Sequence, residues 1–299
     1  MSRSDADGQQ ADVGVIGLGH MGDAFAQNLM ADGHRVMVFD RRSEIVDALA
    51  KEGAIAAAKV QDFAACKIVL TSLPDDDAVA SVTDALIPAL GRGAVHVSTS
   101  TISAGLSRRL TEKHRACHQG YIALPVLGNP DLAHHREIYL LAAGAPADID
   151  RVRAMVERLG RKLFVIGEEP ALANLMKLGG NALTAATLQS MGEVLALLRK
   201  CGISAETAFE VLTGSLFDGK VHKSYGGRIA RGEFHPGMTV RLAAKDLRLA
   251  LAEAENAAVP MPVTAIVRDR LIATEAVEGT DLDWSALGKL AATEAGLKQ

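Results

Sequence analysis

The spacing of hydrophobic and polar residues changes once along this chain, near residue 168. Before that point, short β-prone runs alternate with stretches in which apolar residues recur at helical spacing. Such alternation predicts a largely parallel sheet with helices on both faces. After that point only the helical spacing continues, which predicts an all-helical part. The predicted strands are Val13–Ile16, Val36–Phe39, Lys67–Leu73, Ala94–Thr99, Gly120–Val126, Glu137–Gly144 and Arg161–Gly167.

The same change of spacing defines four predicted segments. Residues 1–11 are polar and are expected to be a disordered tail, and residues 12–168 form the α/β domain. Residues 169–200 are predicted to be one long interdomain helix, and residues 201–299 a helical C-terminal domain. The fold class is thus an α/β N-terminal domain joined by a long helix to an all-α C-terminal domain.

Three glycines in the segment GLGHMG have the spacing G-x-G-x-x-G between a predicted strand and a predicted helix. In this motif the first glycine permits a tight turn, the second lets the backbone approach a pyrophosphate, and the third lets the helix pack on its strand. A second predicted strand follows, so the motif predicts a Rossmann-type dinucleotide-binding domain. The expected cofactor contacts at this turn are Gly17, Leu18, Gly19, His20, Met21 and Gly22.

The end of the second predicted strand carries opposite signals about the cofactor. Asp40 is placed to accept a hydrogen bond from a ribose 2′-hydroxyl, which favours NAD. Arg41, Arg42 and Ser43 follow it and are suited to a 2′-phosphate, which favours NADP. Two adjacent arginines at this position favour NADP over NAD, although arginines after a strand are often only solvated.

A lysine lies among apolar residues in the segment ANLMKLGGN of the predicted long helix. Lys177 and Asn181 are four residues apart and Asn174 lies one turn earlier, so the three share one helix face. An amide and an ammonium group on one face can bind a carbonyl or hydroxyl oxygen and exchange a proton with it. The alternative is a lysine that extends to solvent along an apolar surface. Gly179 and Gly180 favour the functional interpretation, since glycines weaken a helix interior and indicate a close approach to the backbone.

Hydroxyl side chains are concentrated in segment 97–103, at the carboxyl end of a predicted strand. Ligands bind at such strand ends in open α/β sheets, so these hydroxyls are candidates to hold a substrate carboxylate or the cofactor. One of them is also expected to cap the helix that begins near Ala104. The turn at 124–130 follows another strand, and its N–H groups are candidates to complete an anion site.

Two pairs of adjacent polar residues are interpreted as ordinary surface features. Lys245 and Asp246 point to different faces of a predicted helix, so no ion pair between them is expected. His134 and His135 have no carboxylate at ligand spacing nearby, so no metal site is predicted.

Composition and charge exclude several classes of partner. Hydrophobic residues make up 48% of the chain and charged residues 23%, as in ordinary folded proteins. The net charge of −4 gives no broad electrostatic reason to bind nucleic acid or an anionic membrane. The three cysteines are widely separated, and neither a leader nor an apolar run of about 18 residues is apparent, so a cytoplasmic location is expected.

In the order of its motifs the chain resembles the β-hydroxyacid dehydrogenase family, which includes 3-hydroxyisobutyrate dehydrogenase and has the imine reductases as relatives. The resemblance extends from Val13 to about Leu290. It depends on the glycine segment, on STIS at 100–103, on Pro125 to Gly128, on the K-x-x-x-N that begins at Lys177, and on KDLRLAL at 245–251.

The resemblance implies a role for each of these motifs. Lys177 would be the catalytic general acid/base and Asn181 would hold the substrate beside it. The family also implies a small-molecule substrate, and its members are commonly dimeric or tetrameric. The long apolar connecting helix and the helical second domain suggest buried surface between subunits, so a homodimer is expected, with the helical domain contributing to substrate binding and dimerisation. The implied substrate contacts are Ser100, Gly128 and Lys245, and the further cofactor contacts are Leu73, Pro74, Thr101 and Lys245.

The chain departs from the family pattern at two substrate-binding turns. Ser98 and Ala104 replace the aspartate and proline of D-x-S-T-x-x-P, and Leu127 and Asn129 replace a serine and a glycine of P-V-S-G-G. These changes leave a more apolar pocket, so an imine reductase is an alternative, although Lys177 speaks against it. A non-catalytic dinucleotide-binding protein is a third hypothesis, which the presence of Lys177 and Asn181 disfavours.

Overall fold

The computed structural model describes residues 11–297. The chain divides into two compact units between Lys177 and Leu178. The tail predicted at 1–11 lies outside the described residues except for Ala11, whose side chain is buried.

The first unit is built from strands and helices that mostly alternate along the chain. Its strands are β1 Val13–Ile16, β2 Val36–Phe39, β3 Ile55–Ala56, β4 Ile68–Thr71, β5 Val95–Ser98, β6 Gly120–Ala123, β7 Val126–Leu127, β8 Tyr139–Ala143 and β9 Lys162–Gly167. Its helices are α1 His20–Ala31, α2 Ser43–Lys51, α3 Asp76–Leu86, α4 Ala104–Ala116, α5 Pro130–His134 and α6 Pro146–Val156, with 3₁₀ turns at Val60–Ala65 and Glu157–Leu159.

The sheet has the strand order β3-β2-β1-β4-β5-β6-β8-β7, with β9 paired to β8. The five pairings from β3 to β6 are parallel, as is β8 with β9, which confirms the predicted parallel sheet. The pairings of β8 with β6 and β7 are antiparallel. The chain leaves β1 in one direction to β2 and returns to its other side at β4, so the switch point of the sheet lies between β1 and β4.

One predicted strand, Gly120–Val126, is wrong as a single strand. It splits into β6 and β7, with Leu124 and Pro125 between them. Proline has no N–H for a ladder hydrogen bond, so the strand ends before it and the chain continues in the antiparallel pairing with β8.

The two faces of the sheet are packed by different side chains. Val13 and Val15 belong to a large core with Phe25 and Leu29 of α1. Ile16 and Phe63, together with Val69, belong to a separate core. Successive strand residues point to opposite faces, so a sheet covered on both sides follows from near-continuous apolar strands.

Helix α7, Ala171–Lys200, confirms the predicted long helix. Its first residues belong to the first unit, where Ala173 packs against Ala123 and Leu141. The rest belongs to the second unit, where Ala185 and Leu188 pack in the helical core.

The second unit is helical, as predicted. It contains α8 Ala205–Thr213, α9 Lys220–Arg231, α10 Val240–Asn256, α11 Pro262–Glu278 and α12 Leu287–Glu294, with a 3₁₀ turn at Trp284–Ala286. The long helices α10 and α11 pack on each other through Leu247, Val267 and Leu271. Within residues 11–297 no helix combines the length and apolar character that crossing a bilayer requires.

Candidate active site

The glycine turn joins β1 to α1 at the switch point of the sheet. Gly17 has φ +87°, in the left-handed region that favours glycine, and a side chain there would overlap the carbonyl oxygen of Ser72. A Cβ atom on Gly22 would overlap the carbonyl oxygen of Gly17, so this position requires glycine for close packing of helix on turn. Around Gly19, by contrast, a Cβ atom would meet no protein atom within 4 Å. The turn is therefore closed by its first and third glycines and open at its second, as a pyrophosphate site requires.

The N-terminus of α1 faces this open side. Gly19 is the N-cap residue, and His20 and Met21 begin the helix. The first N–H groups of a helix have no partner within it and carry partial positive charge. The turn thus combines backbone donors with an open approach, which suits an anion.

Asp40 follows β2 and is held by its neighbours. One carboxylate oxygen accepts from the backbone N–H of Leu18 at 2.7 Å, and the other accepts from the backbone N–H and Nε of Arg42 at 3.0 and 3.1 Å. Partial burial opposes ionisation, but the hydrogen bonds from Arg42 and Leu18 outweigh it and lower the pKa of Asp40. Arg41 is exposed beside this pair. The end of β2 therefore carries a carboxylate already paired with one arginine.

The loops that follow β4 and β5 are hydrogen-bonded to each other. The backbone N–H of Leu73 donates to Ser100 Oγ at 2.8 Å. Ser103 donates through its N–H and its hydroxyl to the carboxylate of Asp76, at 2.9 and 2.5 Å. Ser103 Oγ also accepts from Leu106 N, which confirms that a hydroxyl of this segment caps α4. Ser100 thus accepts from one loop, so its own hydrogen is left to donate.

Helix α7 reaches the same loop through a buried amide. Asn174 Nδ2 lies 3.4 Å from the carbonyl oxygen of Ser100, and the Asn174 side chain is buried. Lys177 lies three residues further along the helix and is half-buried. The segment of α7 that carries Lys177 is therefore hydrogen-bonded to the loop after β5, all within the first unit.

Gly179, two residues after Lys177, was expected to permit a close approach to the backbone. A Cβ atom on Gly179 would meet no atom of the described residues within 4 Å. No part of the protein that the structure describes therefore requires glycine at 179, and the space beside it is open.

The turn after β7 is shaped by its side chains as well as by its backbone. Gly128 has φ +148°, and a Cβ atom there would contact Ile138 Cγ2 at 2.6 Å. Asn129 Oδ1 accepts from the N–H of Leu132 and so caps the short helix α5. Leu127, in the position of the family's serine, is half-buried.

In the second unit, Asn181 is held by a buried carboxylate. Asn181 Nδ2 donates to Asp246 Oδ2 at 2.5 Å, and Asp246 is buried. Lys245 Nζ lies 3.0 Å from Asp246 Oδ1, so the expectation that these neighbours form no ion pair is wrong. The lysine side chain is long enough to turn back to its neighbour, and a buried carboxylate needs a cation. Asp246 thereby links Lys245 and Asn181.

The structure thus brings together several of the residues suggested by the sequence. Gly17, Asp40, Leu73 and Ser100 follow β1, β2, β4 and β5, which are neighbours in the sheet, so they lie along one edge. Asn181 and Lys245 meet at Asp246, whose role the sequence analysis missed. The adjacent lysine and aspartate in a predicted helix were the available signal in the sequence. Asp76 was missed too, because its partner Ser103 is 27 residues away.

Comparisons with known proteins agree with this architecture. The family profile for the NAD binding domain of 6-phosphogluconate dehydrogenase matches residues 12–167. The profile described as NAD-binding of NADP-dependent 3-hydroxyisobutyrate dehydrogenase matches residues 172–291.

Individual relatives align along nearly the whole chain. The uncharacterized oxidoreductase YfjR of Bacillus subtilis is 33% identical, over 93% of this chain and 98% of its own length. Glyoxylate/succinic semialdehyde reductase 1 of Arabidopsis thaliana is 28% identical, over 92% of this chain and 96% of its own. The crystal structure of 3-hydroxyisobutyrate dehydrogenase from Salmonella typhimurium superposes with a TM-score of 0.86 at 22% identity, covering 94% of this chain and 99% of that one.

The first profile covers more than half of the chain, and one relative exceeds 30% identity over nearly all of it. Together with the glycine turn at the switch point and the long helix, these matches show that the chain belongs to the β-hydroxyacid dehydrogenase family of NAD(P)-dependent oxidoreductases.

Proposed function

We propose that the protein transfers hydride between NADP(H) and a small carbonyl or hydroxy compound, with Lys177 as general acid/base. The observation that carries this proposal is the position of Lys177 one helical turn before Asn181, whose amide is held by the buried Asp246. When bound, the nicotinamide supplies the hydride acceptor or donor. Lys177 exchanges the proton on the substrate oxygen, and Asn181 orients that oxygen.

The substrate is proposed to carry a carboxylate or another acceptor near its reacting carbon. Ser100 supports this assignment, because its oxygen is used by Leu73 N–H and its hydrogen is left for an acceptor. Leu127, the last residue of β7, makes this position more apolar than a serine would. We therefore propose a carbonyl compound with an apolar portion beside its acceptor.

NADP rather than NAD is proposed as the cofactor. A free Asp40 carboxylate would repel a 2′-phosphate, but Arg42 pairs with it through two side-chain contacts at 3.1 and 3.3 Å. The exposed Arg41 adds a second positive charge beside it. Arginine is suited to phosphate because its planar group can donate two parallel hydrogen bonds.

A homodimer is proposed from apolar side chains that the described chain leaves exposed. On α7 they are Leu183, Val194 and Leu197, and on α11 they are Val263, Ile266 and Val277. Each set follows helical spacing along one face. Leu183 is 74% exposed, and stripes of this kind mark interfaces.

A cytoplasmic location remains a prediction, supported by three cysteines that form no disulfide.

The function is tested by offering NADPH and NADH, each with succinic semialdehyde, glyoxylate and a cyclic imine, and following the loss of nicotinamide absorbance. Turnover of an aldehyde, faster with NADPH, is expected. Turnover of the imine alone would instead identify an imine reductase. Cofactor binding without turnover across the panel would identify a dinucleotide-binding protein without this activity.

A further inference from the structure

Two histidines lie one above the other inside the first unit, on the face of the sheet that α4 covers. His96 is in β5 and His114 is in the last turn of α4, and both side chains are fully buried. His96 Nδ1 lies 2.9 Å from His114 Nε2. The ring of Tyr121 stacks on His114, with ring centroids 5.4 Å apart and planes 7° from parallel. None of these groups belongs to the motifs that suggested the function.

The direction of the hydrogen bonds is determined at one end by Gln119. Its amide nitrogen donates to the backbone carbonyls of Ile87 and Leu90, at 2.9 and 2.8 Å. The amide oxygen therefore faces His114 Nδ1, at 2.9 Å. An amide oxygen only accepts, so His114 Nδ1 must carry the hydrogen.

The remaining links follow from that first one. Burial lowers the pKa of both histidines, to about 4 for His114, so both rings are neutral near neutral pH. In a neutral ring the second nitrogen accepts, so His114 Nε2 accepts from His96 Nδ1. His96 Nε2 then accepts from the hydroxyl of Thr71, at 2.9 Å. Each nitrogen and oxygen in this one-way chain of hydrogen bonds is therefore either a donor or an acceptor.

The chain of hydrogen bonds ends at the two loops of the candidate site. Thr71 is the last residue of β4, and its carbonyl oxygen accepts from the backbone N–H and the hydroxyl of Thr99, both at 2.9 Å. Leu73 follows Thr71 by two residues and donates to Ser100, which follows Thr99 directly. The side chain and the carbonyl of Thr71 are therefore both held at the point where these loops begin.

We propose that His96 and His114, acting through the hydroxyl of Thr71, are positioning residues for the loops that carry Leu73 and Ser100. The role rests on the proposed function, because Ser100 is assigned there to the substrate, and the family resemblance makes Leu73 a cofactor contact. Both histidines are fully buried, so their proposed effect is exerted through Thr71. Their fixed Nδ1–H tautomers hold the Thr71 side chain in one rotamer. This keeps the end of β4, and the loop that follows it, in one position when the ligands bind.

The role makes a specific kinetic prediction, because the glycine turn that holds the pyrophosphate lies after a different strand. Loss of the Thr71 hydroxyl would misplace the nicotinamide end and the substrate without removing the anchor of the cofactor. Small errors in the approach of reacting atoms affect turnover more than affinity. Hydride transfer is therefore expected to slow while cofactor binding is retained.

The test compares Thr71→Val, which removes only the hydroxyl, with Thr71→Ser, which keeps it. Thr71→Val is expected to lower kcat about tenfold, with the Kd for NADPH changed by less than about threefold, and Thr71→Ser to restore turnover. Thr274→Val is the matched control, since Thr274 is a fully buried threonine of α11 whose hydroxyl donates to the Arg270 carbonyl at 2.8 Å. It should keep the kcat of the unaltered enzyme. Equal kcat for Thr71→Val and the unaltered enzyme, or an equal loss in Thr71→Ser, would overturn the proposal.

A second measurement covers the case in which Thr71→Val does not fold. Nitrogen-15 NMR of the histidine rings in the unaltered protein should show both His96 and His114 as Nδ1–H tautomers, with His96 resonances that move when NADP⁺ is added. An Nε2–H tautomer in either ring, or His96 resonances that ignore the cofactor, would overturn the role. If the unaltered protein turns over no compound in the panel but meets both NMR expectations, the proposed function fails and the positioning of the cofactor loop is supported.

Discussion

The side-chain amide of Asn181 donates to the carboxylate of Asp246 across 2.5 Å, and both side chains are buried. A carboxylate accepts only, so the NH₂ side of Asn181 must face Asp246 and the amide oxygen must face away. The same carboxylate pairs with Lys245 at 3.0 Å. Asp246 therefore determines the orientation of one proposed substrate contact and the position of another.

Replacing this carboxylate by an amide should impair turnover more than cofactor binding. Asp246→Asn weakens the bond to Asn181 and turns an NH₂ group or a neutral oxygen toward Lys245. Bonds to ionised groups are roughly twice as strong as neutral ones, so kcat/KM for the carbonyl substrate is expected to fall about tenfold. The control is Asp269→Asn on α11, where the carboxylate is exposed. Equal losses in both variants would contradict the role given to Asp246.

Lys177→Ala tests the general acid/base directly. Removal of a positioned proton donor typically lowers turnover by about 10²–10⁴-fold, and the glycine turn should still bind NADPH. Steady-state rates and the quenching of NADPH fluorescence measure the two effects separately. Lys67→Ala, at an exposed lysine before β4, is the control. Near-normal turnover in Lys177→Ala would refute the assignment.

The second and third glycines of the turn should respond differently to the same substitution. Gly19→Ala adds a Cβ atom where no protein atom lies within 4 Å, at φ −66°, which alanine adopts readily. Its unfolding free energy is expected to be unchanged, while NADPH affinity falls about tenfold because the methyl group occupies the pyrophosphate approach. Gly22→Ala places the Cβ atom against the Gly17 carbonyl. It should therefore lower the thermal midpoint of unfolding in addition to NADPH affinity. Retained NADPH affinity in Gly19→Ala would show that the cofactor lies elsewhere.

Arg41→Ala and Arg42→Ala test the proposed preference for NADP. Each should raise the KM for NADPH about tenfold, since a charge-assisted pair with phosphate contributes about 1.5–3 kcal/mol. The KM for NADH should stay within about twofold, because NADH has no 2′-phosphate. Arg42→Ala also frees the Asp40 carboxylate, so NADH is expected to improve in that variant. The control is Arg92→Ala, at an exposed arginine before β5. Parallel changes with both cofactors would argue against a 2′-phosphate site.

The buried histidines should make the first unit acid-labile. The pKa of His114 falls from 6.5 to about 4 on folding and that of His96 falls as well, both chiefly through burial. The unfolded chain therefore binds more protons, so stability is fully present above about pH 6.5 and is lost as the pH falls toward 4. Each histidine contributes a slope of up to about 1.4 kcal/mol per pH unit. Tyr121 has its pKa raised to about 12 and stays neutral in this range.

Urea unfolding at several pH values between these limits checks the slope. His114→Gln should remove one proton-binding site and flatten the pH dependence. His235→Gln, at an exposed histidine, should leave it unchanged. A stability curve that does not fall with acid would contradict the buried neutral pair.

Features that depend on local spacing were predictable from the sequence. The glycine turn, the strands around it and helix α7 each follow from residues close together in the chain. Within the predicted helical domain, helix α9, Lys220–Arg231, was not itself identified, because its segment KVHKSYGGRIAR has few apolar residues and two adjacent glycines. Its Gly226 and Gly227 are buried and pack against side chains such as Phe209, a packing requirement that the sequence does not display.

Features that depend on distant partners were not predictable. The ion pair of Lys245 with Asp246 contradicted a rule for adjacent helix positions, because that rule describes directions from the backbone and ignores the reach of a long side chain. Its cause is the burial of Asp246 beside Asn181, 65 residues earlier. The pairing of His96 with His114 likewise depends on which helix covers which strand.

The one-way order of donors between Thr71 and Gln119 also has a chemical consequence. A proton can move along such a chain of hydrogen bonds only if the last acceptor can take it up. Here the last acceptors are the peptide carbonyls of Ile87 and Leu90. These oxygens do not take up protons near neutral pH. The proposed positioning by the histidines therefore involves no proton transfer along this chain. A proton exchanged by the proposed general acid/base Lys177 must arrive by another route.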